Sequence, residues 1–381
     1  MRRICALTAL LALLLPLFPR VRAVDLEVGG KSAVLMDAAT GTVLYEKNAH
    51  EPLPPASVTK VMTMLLIMEA IDSGKIGWDD MVTASEAAAG KGGSQIYLKA
   101  GETMSVSDMV KSIAVSSAND CACAMAEHLS GSEAAFVDAM NAKAGELGMQ
   151  DTRFVNCTGL DDGADAANHR TSAYDIALMS RELLVNHPDI KNYTTIWMDT
   201  VRGGAFGLSN TNKLIRFYSG ATGLKTGFTS TAGYCLSATA QRDGMELIAV
   251  VMGCDSSNVR TAACKAMLDY GFANYALVTP ELSEAPAVPV RLGTSESIRL
   301  IPEQQPRLLI DKALRNGIQT EITLEPPVVA PVAQGQTLGT LVIRSGEHLL
   351  AQVPLVAAEA VPRLTWAQLV IFVLKQIAMA G

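Results

Sequence analysis

Three short segments carry the side chains from which an acyl-transfer centre can be built. Ser57-Val-Thr-Lys60 opens an apolar helical stretch, Ser117-Ala-Asn119 lies at the junction of two helical patterns, and Lys225-Thr-Gly227 precedes a strand. A serine hydroxyl is a poor nucleophile at neutral pH and needs a base within hydrogen-bond reach. At i+3 on a helix, Lys60 stands one turn from Ser57 on the same face. It can act as a base only if burial or a neighbouring cation lowers its pKa, and Lys225 is the candidate cation. Ser117 can bridge proton movement between Ser57, Lys60 and a leaving amine. The helix start at Ser57 favours a developing oxyanion.

Each segment taken singly is weak, because a Ser-x-x-Lys arises about once by chance in a chain this long. Here that pattern occurs only at 57–60, and Lys-Thr-Gly only at 225–227. A second Ser-x-Asn, Ser256-Ser-Asn258, comes after the Lys-Thr-Gly and reads better as a helix N-cap. Ser57 alone would read as an N-cap serine followed by a surface lysine; three segments in one order favour the chemistry. No Gly-x-Ser-x-Gly occurs, which disfavours an α/β-hydrolase. With no His-Glu-x-x-His and five scattered histidines, neither a metal nor another cofactor is expected.

The elements that must position these residues follow from periodicity. Ser32 to Lys47 reads as a hairpin turning at Asp37-Ala-Ala-Thr-Gly41. A long helix begins near Ser57 and runs to about Ile71, closed by Gly74. Further helices are predicted at Val106–Ala114, Asn119–Leu129, Glu133–Leu147 and Thr171–Leu184. Strands Ala232–Ala240 and Glu246–Met252 are joined by Arg242-Asp-Gly244, and a helix over Ser257–Tyr270 packs on them. Strands, helices and strands again predict an α+β fold, an antiparallel sheet covered by helices. After about Tyr275, prolines and short alternating runs at Val288–Leu292, Ile298–Ile301, Gln319–Leu324 and Thr340–Ile343 read as a small all-β domain.

The ends concern location. Arg2 and Arg3, an apolar run from Leu7 to Leu17 and Val21-Arg-Ala23 read as a signal peptide over residues 1–23. The other expected divisions are 24–276, 277–358 and 359–381. In the last, Trp366, Leu369, Val370, Val373 and Ile377 share one helical face, and the stretch between Arg363 and Lys375 is too short to span a bilayer. A helix lying in the interface on the extracytoplasmic face of the membrane fits it; the alternative is docking on the protein's own β domain. Deleting Pro362 to Gly381 is expected to release a soluble, active protein. The formal net charge of −7 argues against nucleic acid as a partner. Seven cysteines are present and Cys5 leaves with the signal; most of the others read as buried small hydrophobes.

Ala56-Ser-Val-Thr-Lys-Val-Met-Thr63 resembles the active-site segment of the low-molecular-mass penicillin-binding proteins, the serine D-Ala-D-Ala carboxypeptidases. Ser116-Ser-Ala-Asn-Asp120 resembles their second motif, and Gly223-Leu-Lys-Thr-Gly227 with Ala232-Gly-Tyr234 their third. Asn168-His-Arg-Thr-Ser-Ala-Tyr-Asp175 and Ser209-Asn-Thr-Asn212 are similar to further family segments. The resemblance implies a penicillin-binding, β-lactamase-like domain over roughly Lys31 to Tyr275, acting on peptidoglycan pentapeptides and inhibited covalently by β-lactams. By the same resemblance Ser57 forms the acyl-enzyme, Lys60 accepts the proton, Ser117 completes the relay and Asn119 bonds the substrate backbone. Lys225 and Thr226 hold the terminal carboxylate, and Gly227 lets the peptide approach the strand edge. The oxyanion sits between the backbone N–H groups of Ser57 and Phe228, where some members carry a polar side chain after the Lys-Thr-Gly. The rival readings are a serine β-lactamase, a wall endopeptidase or transpeptidase, and a catalytically silent wall-binding protein.

Overall fold

The computed structural model describes residues 26–280, 287–324 and 328–379; the expected signal peptide lies outside them. Strands β1 (Ser32–Asp37) and β2 (Val43–Lys47) form the first hairpin. A 3-10 turn, Ala56–Thr59, runs into helix α1 (Lys60–Asp72). The ribbon of β3 (Met81–Thr83) and β4 (Thr103–Ser105) encloses a short helix, α2 (Glu86–Ala89). Helices α3 (Val106–Ser116), α4 (Asn119–Ser130), α5 (Glu133–Glu146) and α6 (Ala173–Asn186) follow. A single turn, α7 (Lys191–Thr194), leads to a second ribbon, β5 (Met198–Val201) with β6 (Phe206–Ser209).

After a short helix, α8 (Leu214–Phe217), come the long strands β7 (Ala221–Thr229), β8 (Gly233–Arg242) and β9 (Met245–Cys254), then helix α9 (Ser257–Asn274). The main sheet is antiparallel in the order β2-β1-β9-β8-β7, so β7 is an edge. Asp243 and Gly244 both take positive φ at the β8–β9 turn, as a two-residue hairpin loop matching strand twist requires. Alternation along β9 divides the core. Ile248, Val250 and Met252 pack toward the helices, whereas Leu247, Ala249 and Val251 pack toward α9.

Helix α1 threads the helical layer. Val61, Met62, Met64, Leu65, Ile67 and Met68 are all fully buried, so it is apolar around most of its circumference, as a central core helix must be. Each such side chain contributes about 1.5–3 kcal/mol through burial. Around it, Ser105, Ser132, Ser172 and Ser256 cap α3, α5, α6 and α9 through their hydroxyls, at about 1 kcal/mol each. Ser256 thus plays the capping part predicted for the second Ser-x-Asn.

Beyond α9, β10 (Tyr275–Val278) pairs with a strand of the following all-β region. That region contains β11 (Ala287–Pro289), β12 (Ser297–Pro302), β13 (Leu308–Asp311), β14 (Ile318–Leu324), β15 (Thr337–Ser345) and β16 (His348–Ala357). Its sheet runs β11-β12-β16-β15-β14, while β13 is the partner of β10. It closes on its own core, including Ile298, Leu300, Leu341, Ile343 and Leu355. The chain ends in helix α10 (Trp366–Met379).

Candidate active site

Ser57 sits in the 3-10 turn rather than in α1 itself, and that turn is strained and braced. Ala56 adopts φ 48°, a left-handed conformation unusual for a residue with a Cβ. The Thr59 hydroxyl closes the turn by donating to the Ala56 carbonyl at 2.8 Å, and it meets His169 Nε2 at 2.7 Å. Because the Thr59 proton is committed to Ala56, His169 must donate through Nε2. Its Nδ1 accepts from the Val155 N–H at 3.1 Å, which fixes the neutral tautomer. Burial, then the neighbouring Lys60, lowers the His169 pKa to about 4. Gly159 (φ +82°) closes the other side: a Cβ there would come within 1.8 Å of the Ala56 carbonyl oxygen.

Lys60 begins α1 and is fully buried. Its Nζ donates to Ser57 Oγ at 3.0 Å and to the Thr158 carbonyl at 2.8 Å. One turn on, Thr63 donates to the Cys157 carbonyl at 2.6 Å, so α1 holds the 157–158 segment at two points. Desolvation brings the Lys60 pKa down to about 7, against the opposing pull of Cys157 and Asp120. Its ammonium and free-amine forms are therefore close in energy near neutral pH.

Ser117 terminates α3 in a left-handed conformation (φ 63°), and Asn119 starts α4 two residues later. The left-handed residue breaks the helix and keeps both side chains at the junction. Both are buried, and the Ser117 hydroxyl and the Asn119 carbonyl oxygen have no hydrogen-bond partner among the described residues. Buried polar atoms are rarely left so; these two are available to a ligand. The Asn119 amide is held by the Gly92 carbonyl at 2.7 Å. Asp120 accepts from the N–H groups of Ile96 and Leu98, tying the 94–98 loop to the start of α4.

The third segment extends one expectation. Lys225-Thr226-Gly227 precedes the expected strand, found as β8, but is itself part of a strand, lying inside β7 on the sheet edge. A run with Gly, Thr and Lys lacks the apolar alternation of a half-buried strand, yet an edge strand tolerates glycine where another backbone approaches closely. The Ser57 turn makes that approach: a Cβ on Gly227 would come within 2.7 Å of the Pro55 carbonyl and 3.1 Å of the Ser57 nitrogen. Lys225 is buried and donates to the Thr226 carbonyl at 2.9 Å, and Thr226 shares a 2.6 Å hydroxyl contact with Thr211. Burial, then the charges of Lys60 and Arg260, hold the Lys225 pKa well below its usual value. Phe228 points outward, 54% exposed, with its ring 4.3 Å from Tyr234.

Four residues with no sequence-based assignment support these groups: His169, Gly159, Thr211 and Arg260. Arg260 reaches from α9 to the Gly227 carbonyl at 3.0 Å and is buried behind β7. A hollow of about 380 Å3 adjoins the Lys60 side, bounded by Lys91, Gly92, Asn156, Thr158 and Leu160.

Residues 20–256 match the family described as D-alanyl-D-alanine carboxypeptidase, Peptidase S11, and residues 283–363 match the C-terminal domain of penicillin-binding protein 5. The chain belongs to the D-alanyl-D-alanine carboxypeptidase family. It is 44% identical to D-alanyl-D-alanine carboxypeptidase DacF of Bacillus subtilis over 344 residues, 89% of this chain and 87% of that protein. Among solved structures it resembles penicillin binding protein 5 from Haemophilus influenzae at 30% identity and a TM-score of 0.77, covering 88% of this chain and 98% of the other. It also resembles penicillin-binding protein D2 from Listeria monocytogenes, solved in an ampicillin-bound form, at 32% identity and a TM-score of 0.59. That likeness covers 65% of this chain and 99% of the other. As a family member the chain is a serine-type, penicillin-binding hydrolase with the α+β fold and appended all-β domain expected from its sequence.

Proposed function

We propose that this enzyme removes the terminal D-alanine from peptidoglycan stem peptides through an ester on Ser57. The observation that carries the reading is the 3.0 Å contact between Ser57 Oγ and the buried, readily deprotonated Lys60 Nζ. Ser57 Oγ attacks the carbonyl carbon of the penultimate D-alanine while its proton passes to Lys60 Nζ. The oxyanion is received by the backbone N–H groups of Ser57 and Phe228. As the C–N bond breaks, the leaving nitrogen takes a proton through Ser117, giving free D-alanine and an acyl-Ser57 ester. Water then attacks that ester, losing a proton to Lys60 and restoring the hydroxyl.

The peptide lies along the free edge of β7 as an added strand, a mode supported by the edge position of that strand. Lys225 and Thr226 bind the terminal carboxylate, whose charge favours the protonated form of Lys225. Asn119 bonds the substrate backbone, and the absence of a Cβ at Gly227 lets the Ser57 turn seat against β7 beside it. β-Lactams acylate Ser57 in place of the peptide. Helix α10 anchors the exported enzyme to the outer face of the cytoplasmic membrane, which agrees with the exposure of Trp366, Val370, Leu374 and Ile377. No helix among the described residues is long and apolar enough to cross a membrane.

The test is to incubate the purified protein with a pentapeptide ending in D-Ala-D-Ala and, separately, with a labelled penicillin. Free D-alanine and a long-lived penicilloyl adduct on Ser57 are expected, both lost in Ser57→Ala. Rapid release of hydrolysed penicillin without D-alanine formation would make the β-lactamase reading correct instead.

A further inference from the structure

A second feature sits where the 94–98 loop leaves the catalytic junction. Tyr97 adopts φ 60° and exposes 68% of its surface. A bulky residue in left-handed backbone is uncommon and strained, so the surroundings must impose it. They impose it from both sides. The Asp120 carboxylate accepts from the N–H groups of the flanking residues, Ile96 and Leu98. Arg202 donates to the carbonyls of Ile96 at 2.8 Å and Tyr97 at 3.3 Å. Arg202 itself has φ 55° and is fixed by Glu102 at 2.6 Å. These bonds present an aromatic ring to solvent rather than bury it.

The ring borders an open hollow of about 590 Å3, lined by Tyr97, Lys99, Glu102, Arg202 and Phe206 among others. That volume lies within the roughly 300–1,000 Å3 of small-ligand sites. Phe206 meets Tyr97 edge-on, with centroids 6.3 Å apart, and carries the Arg202 guanidinium over its ring at 5.4 Å. Arg202 has five N–H donors and uses three in the bonds to Glu102, Ile96 and Tyr97, which leaves two for a ligand. A flat apolar face beside fixed hydrogen-bonding groups suits a pyranose ring, which has a C–H face and a rim of hydroxyl and acetamido groups.

We propose that this hollow is a subsite for an N-acetylhexosamine of the glycan strand, with Tyr97 as the stacking platform. The inference rests on the peptidoglycan reading above, in which every stem peptide is attached to such a strand. A five-residue stem spans at most about 18 Å when extended, so glycan is delivered close to the catalytic junction with each substrate. The loop that carries Tyr97 is bonded directly to that junction, through Ser94 O to the Asn119 N–H at 2.7 Å and through Asp120. The site would favour peptides still attached to wall over free peptides.

The test compares the full-length enzyme on a free pentapeptide and on the same pentapeptide carried by a soluble disaccharide-repeat glycan. Tyr97→Ala and Phe206→Ala are expected to lower kcat/KM on the glycan-linked substrate about tenfold, mainly through KM. Hydrolysis of the free peptide should be unchanged, and Tyr97→Trp should restore the difference. An equal loss on both substrates would overturn the proposal, because the loop would then be acting only through the catalytic junction; so would no loss on either. Titration of Ser57→Ala with an N-acetylglucosamine tetramer reads the site independently of turnover. Saturable binding that Tyr97→Ala removes is expected, and no binding counts against the subsite. If the wild-type enzyme releases no D-alanine from free pentapeptide while the tetramer still binds, the assigned reaction fails and the subsite stands.

Discussion

At the scale of residues, two buried lysines divide the work by protonation. Burial places Lys60 near a pKa of about 7, while Lys225 is depressed by burial, by Lys60 and by Arg260. Lys60 acts as a base only when neutral, so acylation by a soluble penicillin should rise with pH through about 7. Burial and the neighbouring charges of Lys60 and Arg260 favour the neutral form of Lys225 as well, and loss of its charge weakens the carboxylate anchor, which opposes that rise. A stopped-flow profile flat between pH 6 and 8 would remove Lys60 from the role of base. Ser117 gives a separate test. Its hydroxyl is buried without a partner, so Ser117→Ala should leave the Tm unchanged or slightly raised. Acylation should nevertheless slow by about 10²–10⁴-fold; a variant that acylates at the wild-type rate would exclude the relay. The local spacing of Ser57 and Lys60 made this pair legible in the sequence. Arg260 was not legible, because one arginine in a helix has no signature until α9 is packed behind β7.

At the scale of elements, the nucleophile depends on backbone held in shapes that side chains would forbid. The 3-10 turn carrying Ser57 lies between Gly159 on one side and Gly227 of β7 on the other. Gly159→Ala combines positive φ with a Cβ 1.8 Å from a carbonyl oxygen. It should cost about 3 kcal/mol of stability, lowering the Tm by several degrees and abolishing penicillin binding. Gly163→Ala, where a Cβ meets nothing within 4 Å, is the matched control and should change neither. If thermal melts of the two variants coincide, the bracing argument is wrong. The hairpins and long helices were legible because their periodicity is local, down to the Asp243-Gly244 turn. The strand character of β7 was not, since it depends on pairing with β8 and on the approach of the Ser57 turn. His169 escaped assignment for the same reason: its bond to Thr59 joins positions 110 residues apart.

At the scale of the whole molecule, the chain builds two hydrophobic layers about one sheet and a third core in the all-β region, and none of the described side chains of α10 belongs to any of the three. Its 14 residues reach about 21 Å, well short of the roughly 30 Å hydrocarbon thickness. Trp366 is 82% exposed, and Val370, Leu374 and Ile377 are exposed with it; an interfacial helix buries such residues among lipid headgroups. The expected face also included Val373, whose side chain lies outside the described set. Where the chain may be cut follows from the backbone bonds before the helix. Thr294 donates to Pro362 O, Gly293 bridges Arg363, and the Leu364 N–H donates to Leu292. Removing Pro362 to Gly381, as the sequence invites, would strip these bonds from the all-β region, so the clean cut falls after Thr365. Protein ending at Thr365 should hydrolyse soluble pentapeptide like the full chain and keep its Tm. It should lose co-sedimentation with vesicles containing anionic lipid, whereas the full chain sediments with them and is released by salt only in part. Equal sedimentation of the two forms would place membrane contact elsewhere and leave α10 without that role.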